Sequence, residues 1–136
     1  MRYMLDTNTL VYVLNARPQH LAVLERFNRE DPRDLFISAI TLAELRYGAA
    51  KSDRREANLS KVQRVAQALN TSPFEDKAAA AYGPLRSELE SAGTPIGPLD
   101  TLIAAHALSL RLTLVTSNAH EFSRVPGLHT ENWIPA

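Results

Sequence analysis

Tyr3-Met4-Leu5-Asp6-Thr7-Asn8 sets the reading of the whole chain. A short apolar run ends in a carboxylate and two small polar residues, and Leu10, Val11 and Leu14 follow at helical spacing. That is the pattern of a buried strand feeding a helix. A similar junction follows at Leu35-Phe36-Ile37-Ser38, where Thr41 to Ala50 reads as a helix carrying Glu44. Another falls at Leu112-Thr113-Leu114-Val115-Thr116, continued by Ser117-Asn118. Asp100 comes after Ile96-Gly97-Pro98-Leu99 and is read in the same way, as a carboxylate just past an apolar strand, delivered by a stiff loop at 94–98. Ligands of open α/β sheets collect at the carboxyl ends of the strands, so Asp6, Glu44 and Asp100 are expected to meet there.

The segments between fit one pattern. Leu21, Leu24 and Phe27 mark a second helix, and Asp31-Pro32-Arg33-Asp34 a turn into the second strand. Leu59, Val62, Ala66 and Leu69 give the next helix an apolar stripe; Asn70 to Phe74 is a third strand or an extended connector. Lys77 to Ser91 reads as an alanine-rich helix stopped by Gly93. Leu99, Leu102, Ile103, Ala107 and Leu110 form one face of the helix after Asp100, and the tail from Val125 to Ile134 suggests a last short strand with Trp133 as an aromatic plug. Alternating strands and helices, with no repeat or linker, predict one α/β domain over residues 1–136, built on a mainly parallel sheet.

Composition narrows the function. With 45% hydrophobic residues the 136-residue chain is globular, and the absence of cysteine excludes disulfides and thiolate-bound metals. No apolar run is of membrane length and Met1 leads straight into Asp6 without a signal-peptide pattern, so a cytoplasmic protein is expected. Fifteen basic residues balance fifteen acidic ones, which argues against coating nucleic acid through an overall field. The balance is local, however. Arg46, Lys51, Arg54, Arg55, Lys61 and Arg64 face only Asp53 and Glu56 over that stretch. It reads either as a solvated helical surface or as a phosphate-contacting strip beside an active site.

Each carboxylate also has an ordinary structural explanation. Asp6 could cap its helix, Thr41-x-x-Glu44 matches a capping box, and Asp100 could sit in a first helical turn. Caps do not account for the neighbours: Thr7 and Asn8 beside Asp6, Ser38 and Thr41 beside Glu44, and the polar junction Thr116-Ser117-Asn118. Brought to one sheet edge, these residues make an oxygen-rich depression suited to Mg²⁺ or Mn²⁺, which takes oxygen ligands and keeps several waters. Attack by water on a phosphodiester is the chemistry that most needs such a site. The Walker A, G-x-G-x-x-G, G-x-S-x-G and H-E-x-x-H motifs are absent, and the four histidines lack metal-ligand spacing. His106 falls on the apolar stripe of its helix and reads as a hydrogen-bonded, partly buried side chain. Tyr82 reads as core.

These strings resemble a PIN domain and, within that superfamily, the VapC-type toxin ribonucleases of bacterial toxin–antitoxin pairs. The residues that carry the resemblance are Met4-Leu5-Asp6-Thr7-Asn8, Ile37-Ser38-x-x-Thr41-Leu42-x-Glu44-Leu45-x-x-Gly48, Pro95-Ile96-Gly97-Pro98-x-Asp100-x-x-Ile103-Ala104 and Leu114-Val115-Thr116-x-Asn118-x-x-Glu121-Phe122. Val125-Pro126-Gly127-Leu128 and Glu131-Asn132-Trp133 complete it, so nearly the whole chain is covered in order. The resemblance implies a three-layer α/β/α domain with a five-stranded parallel sheet, an Mg²⁺- or Mn²⁺-dependent endoribonuclease, and a homodimer. Carried over by position, Asp6 and Asp100 become direct or water-mediated metal ligands, with Glu44 beside them. The family often has a fourth acid after the fourth strand; here Asn118 holds one candidate place and Glu121 lies three residues on, where it could instead cap a short helix.

A cognate VapB-type antitoxin is also implied. Its C-terminal segment would fill an apolar groove on the first helices and the Leu42–Leu69 hairpin and bring a basic side chain to the acidic pocket. The most similar-looking relatives attack the anticodon loop of initiator tRNA. Two other readings compete. A degenerate PIN module would bind RNA or a protein without cutting. A phosphatase with Asp6 as nucleophile would need a second aspartate two residues on, where this chain has Asn8.

Overall fold

In the computed structural model, which describes residues 1–135, five short strands form one parallel sheet. Strand β1 (Tyr3–Leu5) lies at its centre, with β2 (Leu35–Ser38) then β3 (Asn70–Ser72) on one side and β4 (Thr113–Val115) then β5 (Thr130–Glu131) on the other. Tyr3 pairs with both Leu35 and Thr113, so the first strand is hydrogen-bonded along both edges. Seven helices connect or follow the strands: α1 (Thr7–Leu14), α2 (His20–Arg29), α3 (Ala39–Ala50), α4 (Arg55–Ala68), α5 (Asp76–Ser91), α6 (Pro98–Leu110) and α7 (Ala119–Phe122). A 3-10 turn at Pro32–Asp34 leads into β2, where the sequence places a turn.

Side chains alternate across a strand, and here both faces are apolar. Tyr3 and Leu5 join Leu35, Ile37 and Val115 in a core shared with Leu10, Val23, Leu45 and Val62 of α1 to α4. Met4 and Leu114 face the opposite way, against Leu85 and Leu89 of α5, Ile103 of α6 and Phe122 of α7. The layers are therefore α/β/α. Trp133 closes the first core edge-on to Tyr3, with ring centroids 5.2 Å apart, as the aromatic plug expected. Tyr82 packs against the second core, its hydroxyl accepting from Arg86. No helix among the described residues is long and apolar enough to cross a membrane.

One expectation is overturned. No strand precedes Asp100: residues 92–97 are irregular, with Gly93 at φ +72°, and run directly into α6. Pro95 lacks the N–H that a ladder requires, and the left-handed residue ends α5 instead of continuing an extended run.

Candidate active site

The order β3-β2-β1-β4-β5 reverses direction at β1, where the chain first builds outward through β2 and β3 and then returns to β4. Such switch points leave a crevice outside the carboxyl ends of the central strands. Asp6 and Thr116 directly follow the two strands that border it. The Asp6 amide still donates to Val115 across the sheet at 3.0 Å, while its side chain caps α1 by accepting from the Thr9 amide at 2.8 Å. Asp6 is only 2% exposed. Burial pushes its carboxyl up from the usual range, opposed by hydrogen bonds from Thr116 and Thr9 and reinforced by the charge of Glu44.

Glu44 reaches the crevice from α3, but not through a capping box. Ser38 caps that helix, its hydroxyl accepting from the Ile40 amide at 3.0 Å, so α3 begins at Ala39 and Thr41 lies buried inside it. Freed from the Thr41 amide, Glu44 accepts from the Thr7 hydroxyl at 2.7 Å, and that hydroxyl lies 3.2 Å from the Thr41 hydroxyl. Thr7 therefore ties α1 to α3 beside Asp6.

Asp100 is the third residue of α6, after Gly97 and Pro98 set the helix start. It is half-buried, and burial, followed by the charges of Glu121, Glu44 and Asp6, pushes its carboxyl up to about 6. Glu121 does not cap α7. One of its oxygens accepts from the Gly97 amide at 3.3 Å and the other from the Asn118 side-chain amide at 2.6 Å. Asn118 and Glu121 thus share the fourth corner, the amide holding the acid toward Asp100. The Asn118 backbone N–H in turn donates to the Thr116 hydroxyl at 2.9 Å.

Asp6, Glu44, Asp100 and Glu121 come together, with Thr7, Thr41, Thr116 and Asn118 as supports. Ser38 acts from behind as the helix cap. Asn8 lies exposed on the first turn of α1 and makes no side-chain hydrogen bond among the described residues. Other residues enter that sequence spacing could not single out. The Thr9 amide holds Asp6, the Gly97 amide holds Glu121, and Thr101 closes the turn by donating from its hydroxyl to the Gly97 carbonyl at 2.8 Å. His106 is fully buried, its Nδ1 2.8 Å from Ser38 Oγ and its ring edge-on to Phe74; burial lowers its pKa.

No ion pair among the described residues involves any of the four acids. Asp100 lies in the field of the other three acids and Asp6 in that of Glu44, both with raised pKa values, and such a set of oxygen donors suits a hard divalent ion. As the side chains lie, no three of the described His, Asp or Glu residues share a geometry that would hold one ion among them. A divalent ion here would have to take one or two of these carboxylates directly and reach the others through water.

The PIN domain family matches residues 3–128. The chain is 44% identical over 133 residues, spanning 98% of each chain, to the tRNA(fMet)-specific endonuclease VapC of Salmonella typhimurium. Its fold superposes with a TM-score of 0.91, at 42% identity and 98% of both chains, on the crystal structure of DNA-bound VapBC from the same organism. VapBC-1 of nontypeable Haemophilus influenzae gives 0.89 at 36% identity, covering 99% of this chain and 100% of that one. The chain belongs to the PIN-domain family, in its VapC branch.

Proposed function

We propose that residues 1–136 act as a single PIN domain that cuts RNA phosphodiester bonds internally, with Mg²⁺ or Mn²⁺ as cofactor. The observation that carries this is the convergence of Asp6, Glu44, Asp100 and Glu121 at the switch point of a parallel sheet, with no ion pair to balance them among the described residues. Asp6 and Asp100 would hold the ion, with Glu44 and Glu121 reaching it through water. A divalent ion supplies polarisation of the phosphoryl oxygen and activation of water. The chain's own groups do the positioning. Thr7 fixes Glu44, Thr116 and Thr9 fix Asp6, and Asn118 with the Gly97 amide fixes Glu121. Asp100, raised to about 6, is the group whose ionisation completes the site.

The resemblance in sequence extends the proposal to a growth-inhibiting toxin of the cytoplasm, working as a homodimer on tRNA, with an anticodon loop as the target. A VapB-type antitoxin would neutralise it. An almost wholly apolar channel between α1, α2 and α4, lined by Leu10, Val13, Val23, Phe27, Val65 and Leu69, suits a segment of such a partner. The retention of all the acids disfavours a purely binding module. Asn8, exposed and outside the cluster, disfavours a phosphatase with an aspartate pair.

Mapping RNA 5′ ends after brief induction tests the proposal. Wild-type chain is expected to generate new ends in one tRNA loop, and the Asp6→Ala chain none. Equal ends from both proteins would contradict it.

A further inference from the structure

Gly48 is poorly placed by the ordinary rules of a helix. It lies inside α3, one turn beyond Glu44, where glycine costs roughly 1 kcal/mol relative to alanine. Packing offers no compensation, because a Cβ built there would meet nothing within 4 Å. The missing side chain instead opens the floor of a groove of about 250 Å³ between α1, α3 and α4. Val11 and Leu14 form one wall, Asn58 and Lys61 the other, and Glu44 belongs to both the groove and the acidic pocket.

We propose that this groove seats the substrate nucleotide adjoining the scissile phosphate, its base lying over the Gly48 backbone and its outer phosphate meeting Lys61. The inference rests on the ribonuclease reading above. Three observations favour a nucleotide. At about 250 Å³ the groove is smaller than the roughly 300–1,000 Å³ of a pocket for a drug-sized ligand, which leaves room for a group the size of one base. Its apolar wall suits a base face, while Asn58 offers amide chemistry to a base edge; one of its amide hydrogens goes to Ser52 at 2.9 Å. Lys61 is exposed and in no ion pair among the described residues, as are Lys51, Arg54 and Arg55 on the same α3–α4 arm. Cations of this kind contact phosphates and fix the register of a nucleic acid strand. The apolar channel over α1, α2 and α4, by contrast, offers a protein segment a nearly uniform hydrophobic lining.

The test uses the full chain with labelled unfractionated tRNA as probe, reading filter binding in EDTA and cleavage in Mn²⁺. Gly48→Ala and Gly48→Leu are both expected to melt higher than wild type, since both residues form helix better than glycine. Over the same series tRNA binding is expected to weaken, reaching about tenfold for Gly48→Leu, the order of one lost base contact. KM rises in step, with kcat little changed. Lys61→Ala should weaken binding and lower the salt dependence by about one released counterion. Wild-type tRNA affinity in Gly48→Leu overturns the proposal. So does a Gly48→Leu chain that keeps its tRNA affinity but loses its antitoxin, because the groove then belongs to a protein partner. A wild-type chain that binds tRNA without cutting it refutes the ribonuclease reading and with it the placement beside a scissile phosphate, whereas a cutting wild type with unchanged Gly48→Leu affinity overturns the groove alone.

Discussion

Asp6 accepts the Thr9 amide at the start of α1, and the same carboxylate lies buried within the field of Glu44 and Asp100. Capping is compatible with the proposed metal role, because a helix N-terminus can hold a carboxylate in place. They separate by substitution. Asp6→Asn keeps a capping oxygen and is expected to melt close to wild type while losing cleavage. Asp6→Ala should lose cleavage and also about 1 kcal/mol of stability, read by urea denaturation. Asp100 gives a pH signature. Its native pKa lies above its unfolded value, so the native state binds more protons between about 4 and 6 and stability falls as pH rises through that window. Asp100→Asn is therefore expected to melt higher than wild type at pH 7.5, with the gap closing toward pH 4 in thermal melts. That Asp6 and Glu44 would converge was legible in the sequence from the small polar residues beside each, and the place of Asp100 from the stiff Gly97-Pro98 approach. The bond from Thr7 to Glu44 was not, since it joins residues 37 positions apart and depends on how α1 meets α3.

At the scale of elements, the strands and helices around β1, β2 and β4 could be read from apolar runs broken by polar junctions. The start of α3 could not be placed as easily. Thr41 and Glu44 match a capping box, yet Ser38 caps the helix first, because β2 ends there and its hydroxyl meets the Ile40 amide. The same hydroxyl holds His106 of α6, a pairing across 68 residues that no local pattern reveals. Ser38→Ala removes a cap and strands a buried imidazole, and is expected to cost about 2 kcal/mol in urea denaturation. The approach to Asp100 misled for the opposite reason. Ile96 beside prolines resembles an extended strand, but a chain with too few N–H donors cannot join the ladder, and it stays a loop.

Across the whole molecule, zero net charge conceals an acidic crevice at the switch point and a basic arm on α3 and α4. The core packs both faces of the central strands beneath the crevice, and no ion pair among the described residues balances its acids. A bound divalent ion should therefore stabilise the fold, by about 2.7 kcal/mol at a hundredfold excess over its Kd. Mn²⁺ is expected to raise the melting temperature of wild type at pH 7.5, and to do so much less for Asp100→Asn, in paired melts with EDTA. The most direct test joins the metal to the acids. Purified wild-type chain is incubated with tRNA in Mn²⁺ or EDTA, beside Asp6→Asn and Asp100→Asn proteins shown to be folded. Cleavage by wild type alone, and only with the metal, is the predicted result; wild-type cleavage in EDTA, or by either folded variant, would contradict the account.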